Sequence, residues 1–373
     1  MVAPAFYGDY MKPVGLYIHI PFCNGKCPYC DFYSVAPDSE TVDAYVSAVC
    51  KKIDEADRIY DTVYFGGGTP SLIGSHRIAK IMSHIKRTSD CEATLECNPS
   101  DTGAVNSDFN FSIVAESGIN RISMGLQSAN DSERKSLGRR GGCDDVERAI
   151  TRAKEAGINN ISLDLMLGIP FQTKESLKKS IEFCKNSGAK HISAYILKVE
   201  EGTPFFKIKN TLDLPDEDET CDLYLYAVSE LEKSEFNQYE ISNFSLKGYE
   251  SKHNLKYWRC EEYLGIGASA HSFFDGKRFY YERSIDEFIN GVPPVDDGDG
   301  GDEEEYIMLA LRLSEGLIFE KYQYRFAKQI DRAIIEKAKE FEKHGLVRVT
   351  ENNISLTAEG FLMSNAIISS LLL

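Results

Sequence analysis

Three closely spaced cysteines carry the strongest chemical signal in this sequence. Cys23, Cys27 and Cys30 form a C-x3-C-x2-C loop directly after the first predicted strand. Zinc sites and ferredoxin-type clusters take four protein ligands, so three local thiolates would leave one metal position open. The amino-carboxylate end of S-adenosylmethionine (SAM) chelates an open iron, and reduction of its sulfonium yields a deoxyadenosyl radical. The spacing favours a [4Fe–4S] cluster over three structural cysteines or a zinc site that borrows His19.

A glycine run, Gly66 to Gly68, follows the second predicted strand. Glycine lets backbone N–H and C=O groups approach a ligand closely. A plain tight turn is the alternative reading. Ligand sites of α/β folds form at the carboxyl ends of strands, so the position of the run favours binding.

Polar side chains lie at the ends of later predicted strands. Glu96 ends the third and Gln127 the fourth, while Asp164 lies within the fifth. Each alone suits a structural cap equally well, but together on one rim they predict a pocket for a zwitterionic nucleoside. Carboxylates suit ribose hydroxyls and a sulfonium, and Arg139 suits the SAM carboxylate.

Alternating strands and helices must position these residues. Six β-rich runs are predicted: Gly15–Ile20, Thr62–Phe65, Ala93–Cys97, Arg121–Leu126, Asn160–Leu167 and His191–Val199. Amphipathic stretches between them include Thr41–Ile59, His76–Lys86, Asp145–Ala156 and Ser176–Asn186. This alternation implies a parallel sheet with helices outside it, either open-wound or curled into a barrel. Periodicity alone leaves both topologies open.

The second half of the chain loses this rhythm. A helix is predicted over Pro215–Lys233, followed by an irregular aromatic stretch, Tyr239–Tyr281. Gly291–Gly301 is predicted to be a linker because Pro, Gly and Asp disfavour regular structure. Glu303–Leu373 reads as two helices, a hairpin and a closing helix, which suits a small winged-helix-like domain. A packing role is favoured over DNA binding.

Composition and charge limit the partners. The 373 residues carry a formal charge of −16, which argues against wide contact with nucleic acid. No apolar run reaches the ~20 residues needed to cross a bilayer, and the N-terminus lacks a secretory pattern. The other seven of the ten cysteines are scattered, as expected of small buried side chains in a reducing compartment. We therefore expect a cytoplasmic protein.

Six segments resemble, in order and spacing, the HemN/HemW branch of the radical SAM superfamily. They are IHIPFCNGKCPYCDF, FGGGTPS, ISMGLQS, DLMLGIPFQT, VEEGTPF and GIGASAH. The resemblance implies an α/β fold, a partial (β/α)6 barrel with a C-terminal winged-helix-like α+β domain. It divides the chain into a radical SAM core (1–205), a barrel-completing and heme-binding segment (206–295) and the C-terminal domain (296–373).

The resemblance also implies roles for individual residues. It assigns Cys23, Cys27 and Cys30 to the [4Fe–4S] cluster. It assigns Tyr17, Gly67, Thr69 and Glu96 to the SAM bound at the cluster. A second SAM is expected at Tyr29, Gly68, Gln127, Arg139 and Asp164, and His271 is expected to line the SAM pocket.

Two features separate the branches of this family. The coproporphyrinogen dehydrogenase branch has a further cysteine two positions after the third, where this chain has Phe32, and a longer N-terminal extension. HNLKYW, His253 to Trp258, matches the HNxxYW signature of the HemW heme chaperones. The resemblance thus favours a chaperone that binds heme and transfers it to apo-hemoproteins. The alternatives are an oxygen-independent coproporphyrinogen III oxidase and a radical SAM enzyme that opens or methylates the heme ring.

The HNLKYW segment is the predicted heme site. Histidine can ligate heme iron, and tyrosine and tryptophan can pack on a porphyrin, which nominates His253, Tyr257 and Trp258. Lys252, Lys256 and Arg259 could pair with heme propionates. The alternative is a buried aromatic cluster with a satisfied histidine. Besides heme and acceptor proteins, an electron donor for the cluster is expected; a homodimer and transient membrane association stay open.

Overall fold

The structure is a computed structural model that describes residues 13–373. The first twelve residues lie outside the described residues. The prediction that the N-terminus lacks a secretory pattern falls mostly on them. No helix in the described range is both long and apolar enough to span a membrane.

Six parallel strands form the centre of the molecule. They are β1 (Val14–Ile20), β2 (Ile59–Gly67), β3 (Lys86–Cys97), β4 (Arg121–Gln127), β5 (Asn160–Leu167) and β6 (His191–Ile196). They pair in sequence order from β1 to β6, and every pair is parallel. This arrangement is the partial barrel that the resemblance implies. Because parallel strands share a direction, their carboxyl ends lie at one rim.

Helices connect these strands and cover them from outside. They are α1 (Ser39–Ala56), α2 (Ser75–Ser83), α3 (Pro99–Thr102), α4 (Phe111–Ser117), α5 (Asp131–Ser136), α6 (Cys143–Glu155) and α7 (Lys174–Ser187), with a 3₁₀ turn at Pro70–Ile73. Local signals set their ends. The Asp38 side chain accepts a hydrogen bond from Thr41 N at the start of α1, and Gly188, with φ +77°, ends α7.

Side chains alternate between the two faces of each strand. In β1, Leu16, Ile18 and Ile20 are fully buried in the main hydrophobic core. Tyr17 and His19, which alternate with them, line the cavity inside the barrel. The two faces of β1 therefore separate an apolar packing layer from a polar interior.

The next segment extends the sheet at both edges. Its elements are α8 (Pro204–Ile208), a 3₁₀ turn (Lys209–Thr211), α9 (Glu217–Glu232), β7 (Asn237–Gln238), β8 (Asn243–Ser245), α10 (Lys252–Trp258), β9 (Tyr263–Ile266), β10 (His271–Phe274), β11 (Lys277–Tyr280), α11 (Ile285–Ile289) and β12 (Val295–Asp299). Strand β8 pairs antiparallel with β6, and β9 pairs parallel with β1. The twelve strands run in the order β12-β11-β10-β9-β1-β2-β3-β4-β5-β6-β8-β7.

The predicted linker Gly291–Gly301 was partly wrong. Its residues Val295–Asp299 form β12, the edge strand paired antiparallel with β11. All five side chains of β12 are exposed. A charged edge strand needs no apolar face, because backbone hydrogen bonds and the ion pair between Lys277 and Asp299 join it to the sheet. This is why its composition resembled a linker.

The C-terminal domain is built from short helices and a small sheet. Its elements are α12 (Glu303–Ala310), β13 (Leu317–Ile318), α13 (Phe319–Phe326), α14 (Arg332–Glu342), β14 (Val347–Val349), β15 (Asn353–Leu356), α15 (Ala358–Leu362) and α16 (Ser364–Leu372). The strands are ordered β13-β15-β14 and are antiparallel. Helices followed by a hairpin make the predicted winged-helix-like arrangement, although three helices precede the hairpin instead of two.

Candidate functional site

The cysteine loop leaves β1 and is tied at its base. Cys23 N donates to Val35 O and Val35 N donates to Pro21 O, both at 2.9 Å. Within the loop, Cys30 N donates to Cys27 O at 3.0 Å. All three thiols are partly exposed. These backbone bonds keep the three cysteines in one short loop after the carboxyl end of β1.

The donor set of this loop fits an iron–sulfur cluster. No group of three or more His, Cys, Asp or Glu side chains within residues 13–373 converges on a single metal ion. A cubane cluster does not require that convergence, because each thiolate ligates a different iron. Thr69 Oγ1 lies 3.5 Å from Cys23 Sγ, and Arg139 Nη1 lies 3.9 Å from Cys27 Sγ. Such donors stabilise thiolate sulfur and tune the metal.

His19 does not supply a fourth ligand in this conformation. Its Nδ1 lies 3.0 Å from Tyr17 Oη, and its Nε2 lies 3.3 Å from the Tyr33 carbonyl oxygen. Burial lowers the pKa of His19 to about 4, so its ring is neutral at pH 7. Both ring nitrogens are thus engaged within the protein, which counts against the zinc alternative.

The glycine run passes directly under the cysteine loop. Gly68 N donates to Ile20 O at 2.9 Å, and Thr69 N donates to Phe22 O at 2.8 Å. A Cβ at Gly68 would lie 2.5 Å from Phe22 O, and Gly67 has a φ of +110°. Glycine is therefore required at both positions for the backbone to approach the loop this closely.

One large cavity joins most of the predicted site residues. It has a volume of about 1000 Å³ and runs along the inside of the barrel. The predicted residues that line it are Tyr17, Tyr29, Cys30, Gly67, Gly68, Thr69, Glu96, Gln127, Arg139, Asp164, Tyr257 and His271. Cys23, Cys27, His253 and Trp258 are not among its lining residues. The structure therefore brings the predicted SAM-binding residues into one space.

Two carboxyl groups on the cavity wall have pKa values near neutrality. Burial, reinforced by Asp164, raises the pKa of Glu96 to about 7, although Tyr64 Oη donates to Glu96 Oε1 at 2.8 Å. Burial likewise raises the pKa of Asp164 to about 6, with Ser123 Oγ 3.4 Å from Asp164 Oδ1. A ligand with hydroxyl groups or positive charge would favour the ionised forms.

Arg139 and Gln127 are held by the barrel itself. Arg139 Nη2 donates to Gly125 O at 2.6 Å, and Tyr195 Oη donates to Gln127 Oε1 at 3.0 Å. Gln127 has a φ of +68°, which marks a turn at the end of β4. These contacts fix both side chains at the carboxyl end of the barrel.

The HNLKYW segment forms α10, and its histidine is buried. His253 is 0% exposed, its Nδ1 lies 2.8 Å from Thr62 Oγ1, and its Nε2 lies 2.8 Å from Tyr257 Oη. Its ring stacks on Tyr64 with centroids 5.3 Å apart, and Tyr17 stacks on Tyr64 in turn. We call Tyr17, Tyr64, His253 and Tyr257 the tyrosine–histidine layer. Burial lowers the pKa of His253 to about 3, so the histidine is neutral.

The other residues nominated for heme have separate locations. Tyr257 lines the cavity together with Asn254, one turn of α10 before it. Trp258 packs under Arg312 of the C-terminal domain, 5.9 Å from the guanidinium carbon to the ring centroid. Helix α10 therefore presents Tyr257, and not His253 or Trp258, to the cavity.

The basic residues of this segment have partners elsewhere. Lys256 pairs with Asp61 at 2.8 Å and with Glu261 at 3.3 Å. Arg259 Nη2 lies 3.5 Å from Glu315, and Lys252 Nζ lies 3.3 Å from a backbone oxygen. None of the three lines the cavity. The structure does not bring them to the site as partners for propionates.

Several cavity residues carried no signal recognised in the sequence. They are Tyr64, Arg121, Ser123, Ser193, Tyr195 and Asn243. Four of them lie within strands β2, β4 and β6, among mostly buried residues: Tyr64, Ser123, Ser193 and Tyr195. Nothing in the sequence therefore singled them out. One signal could have been used to find Arg121. An arginine at the start of a predicted central strand is a candidate functional residue, because arginine is rarely buried without a partner.

Comparisons with known proteins agree with this fold. The radical SAM superfamily profile matches residues 17–184, and the HemN C-terminal domain profile matches residues 303–363. The E. coli coproporphyrinogen III oxidase HemN superposes with a TM-score of 0.80 at 20% identity, over 96% of this chain and 90% of that one. At that identity the match shows a shared fold. The fold and the three-cysteine loop are those of a radical SAM protein.

Curated relatives define the family more closely. The heme chaperone HemW of Lactococcus lactis is 33% identical, over 97% of this chain and 98% of the relative. HemW of Bacillus subtilis is 35% identical, over 95% and 98%. HemW of Escherichia coli is 36% identical, over 72% of each chain. The chain belongs to the HemW family.

Proposed function

We propose that this protein is a heme chaperone, which binds heme and transfers it to apo-hemoproteins. The observation that carries the proposal is the similarity, over almost the full length of both chains, to proteins named heme chaperones. Phe32 supports the same choice, because it occupies the position where the coproporphyrinogen dehydrogenase branch is expected to have a further cysteine. Phe32 is 66% exposed beside the cysteine loop and lines the cavity.

A [4Fe–4S] cluster and SAM are the cofactors of the radical SAM family. In our proposal Cys23, Cys27 and Cys30 hold the cluster, which when bound and reduced supplies an electron to the SAM sulfonium. The predicted residues are then divided between two nucleoside sites. Tyr17, Gly67, Thr69 and Glu96 contact the first SAM, Tyr29, Gly68, Gln127, Arg139 and Asp164 contact the second, and His271 lines the SAM pocket. All ten residues line one cavity, which supports their use as nucleoside contacts.

The protein groups hold and orient the nucleoside. Gly67 and Gly68 let the backbone approach it, and the carboxyl group of Glu96 is positioned by Tyr64. Positive charge nearby would lower the pKa of Glu96 from about 7 and favour its ionised form. Arg139, held by Gly125 O, is placed to bind a carboxylate.

Heme is proposed to contact the part of the cavity formed by α10. Tyr257 lines that wall, and His253 supports Tyr257 through the 2.8 Å hydrogen bond from behind. Direct ligation of iron by His253 would require the ring to give up a buried hydrogen bond. Trp258 would act by packing α10 against the C-terminal domain. We further propose a cytoplasmic location and a separate electron donor for the cluster.

Anaerobic reconstitution with iron and sulfide tests this function. The reconstituted protein is expected to bind one heme per chain and to pass it unaltered to a heme-free acceptor protein. Mass spectrometry of the recovered tetrapyrrole would show the mass of heme. Sustained formation of protoporphyrinogen from coproporphyrinogen III, with SAM and a reductant, would contradict the proposal, as would a heme of changed mass.

The conservative variant His253→Gln separates support from ligation. Glutamine retains amide groups for hydrogen bonding but is a poor ligand for heme iron. If His253 acts as a support, the variant should keep the Soret spectrum of the complex. A changed Soret band with an unchanged unfolding midpoint would instead assign His253 to the iron.

A further inference from the structure

The inner end of the cavity lies far from the cysteine loop. Arg121 lines it at the first position of β4, whereas Gln127 ends the same strand at the rim. Six residue steps along a strand span about 20 Å at ~3.3 Å per residue. Arg121 therefore belongs to a separate part of the cavity from the residues beside the cluster loop.

The guanidinium of Arg121 is buried with few partners. The residue is 2% exposed, its best hydrogen bond runs from Nη1 to Thr94 Oγ1 at 3.4 Å, and its Nε has no partner. Within residues 13–373 no carboxylate forms an ion pair with it, although twenty such pairs occur elsewhere. Burying a charge without a paired, hydrogen-bonded partner is costly, so an arginine in this state is unusual.

The acidic residues of the barrel are engaged by other groups. Glu96 accepts from Tyr64 Oη, and Asp164 lies within hydrogen-bond distance of Ser123 Oγ. Glu92 Oε1 accepts from His253 N at 3.3 Å. Their charges act on Arg121 only from a distance, and none forms the bidentate contact that a guanidinium favours.

Asn243 and Asn254 also line this cavity. Asn243 is 9% exposed and its Oδ1 has no hydrogen-bond partner. Asn254 lines the cavity from α10, and among the described residues its side-chain amide makes no hydrogen bond. Amide N–H groups donate to the same acceptors that arginine binds. Arg121 and Asn254 therefore have donors available in this cavity, whereas the unpartnered atom of Asn243 is an acceptor.

We propose that Arg121, assisted by the side-chain amide of Asn254, is a carboxylate-binding subsite for the ligand that fills the barrel. The inference rests on the proposed function for the source of the carboxylate, since heme carries two propionates on one edge. A guanidinium binds a carboxylate through two parallel N–H···O bonds, and low solvent access strengthens them. The carboxylate of SAM is the other source of the same chemistry.

Binding of hemin and of its dimethyl ester tests the subsite. Esterification removes both propionate charges and leaves the ring and iron unchanged. Arg121→Gln is expected to weaken hemin binding about tenfold, as loss of one charge-assisted bidentate contact would. Binding of the ester should stay unchanged. Arg148→Gln, on α6 outside the barrel, is the matched control and should change the binding of neither hemin nor the ester.

A parallel titration with SAM separates the two sources. If the subsite serves the nucleoside, Arg121→Gln will weaken SAM and leave hemin unaffected, which still supports a carboxylate site. Unchanged binding of both hemin and SAM would overturn the inference. An equal loss for hemin and its ester would overturn it as well, because that pattern reports a damaged cavity.

Asn254→Asp provides a second variant in case Arg121→Gln does not fold. It is nearly isosteric, it places negative charge beside the subsite, and it should weaken hemin more than the ester. If the unmodified protein binds neither hemin nor the ester, the proposed heme function fails, and the SAM titration alone then decides the subsite. If it binds both equally well and the variants change nothing, the subsite fails while the function stands.

Discussion

The cysteine loop and the tyrosine–histidine layer both contain side chains of a type that can ligate metal, but they differ in burial and in hydrogen bonding. In the loop, the residues Cys23, Cys27 and Cys30 are partly exposed, and the contacts of their sulfur atoms with Gly25 O, Thr69 and Arg139 are long, at 3.5, 3.5 and 3.9 Å. In the layer, His253 is fully buried and both ring nitrogens are hydrogen-bonded. A residue type that can ligate metal is available for ligation only where the fold leaves its donor atoms without partners.

Removing a loop cysteine should have the largest effect. Each of Cys23→Ala, Cys27→Ala and Cys30→Ala is expected to abolish the reconstituted cluster, because a cubane with three protein ligands cannot spare one. Iron content and visible absorbance after anaerobic reconstitution measure this. Cys221→Ala, on α9, is the control and should keep full iron. A loop variant that retained a complete cluster would remove its cysteine from the ligand set.

Removing the layer histidine should act on stability. His253→Ala would leave the hydroxyl groups of Thr62 and Tyr257 without a partner and open a cavity, which should lower the free energy of unfolding by about 2–4 kcal/mol. Denaturant titration measures the change. His271→Ala removes an exposed ring that stacks on Tyr280 and should leave stability nearly unchanged. An equal loss of stability in the two variants would show that the buried hydrogen bonds of His253 do not distinguish it from an exposed histidine.

The carboxyl group that the layer positions should give a smaller, pH-dependent effect. The pKa of Glu96 is about 7 in the folded protein against 4.5 when unperturbed, so the folded state binds more protons between those values. The free energy of unfolding of the ligand-free protein should therefore fall as pH rises from about 4.5 to 7. Glu96→Gln should flatten this slope. A slope that is unchanged in the variant would assign the proton to another group.

The sequence predicted the barrel better than it predicted the fate of single side chains. Predicted strand Asn160–Leu167 matches β5 in full, and Gly15–Ile20 is one residue shorter than β1. Alternation of strands with glycine-terminated helices is a local signal that tertiary packing did not override. The linker prediction for Gly291–Gly301 was partly wrong because β12 joins the sheet through backbone bonds and one ion pair and not through an apolar face, which composition does not record.

In the functional site, too, local sequence predicted some features and the fold alone determined others. The cysteines and glycines act through spacing along one loop and one strand end, so the sequence contains their arrangement. The partners of His253 are Thr62, far away in the chain, and Tyr257, one helical turn later. A histidine bonded from both sides and a histidine free to ligate iron look identical in sequence, because only the fold brings Thr62 to the ring. Arg121 was missed because the sequence shows only an arginine at the start of a predicted strand, whereas its burial is set by the fold.

The parallel pairing of β1 with β9 has a consequence for biosynthesis. Strand β1 emerges early from the ribosome and finds β2 soon afterwards, but Gly15 must wait for Tyr263 before its other edge is covered. Contacts between such distant parts of a chain slow folding, and an uncovered strand edge invites pairing with other chains. Nascent or truncated chains that end before β9 should therefore be the aggregation-prone species of this protein.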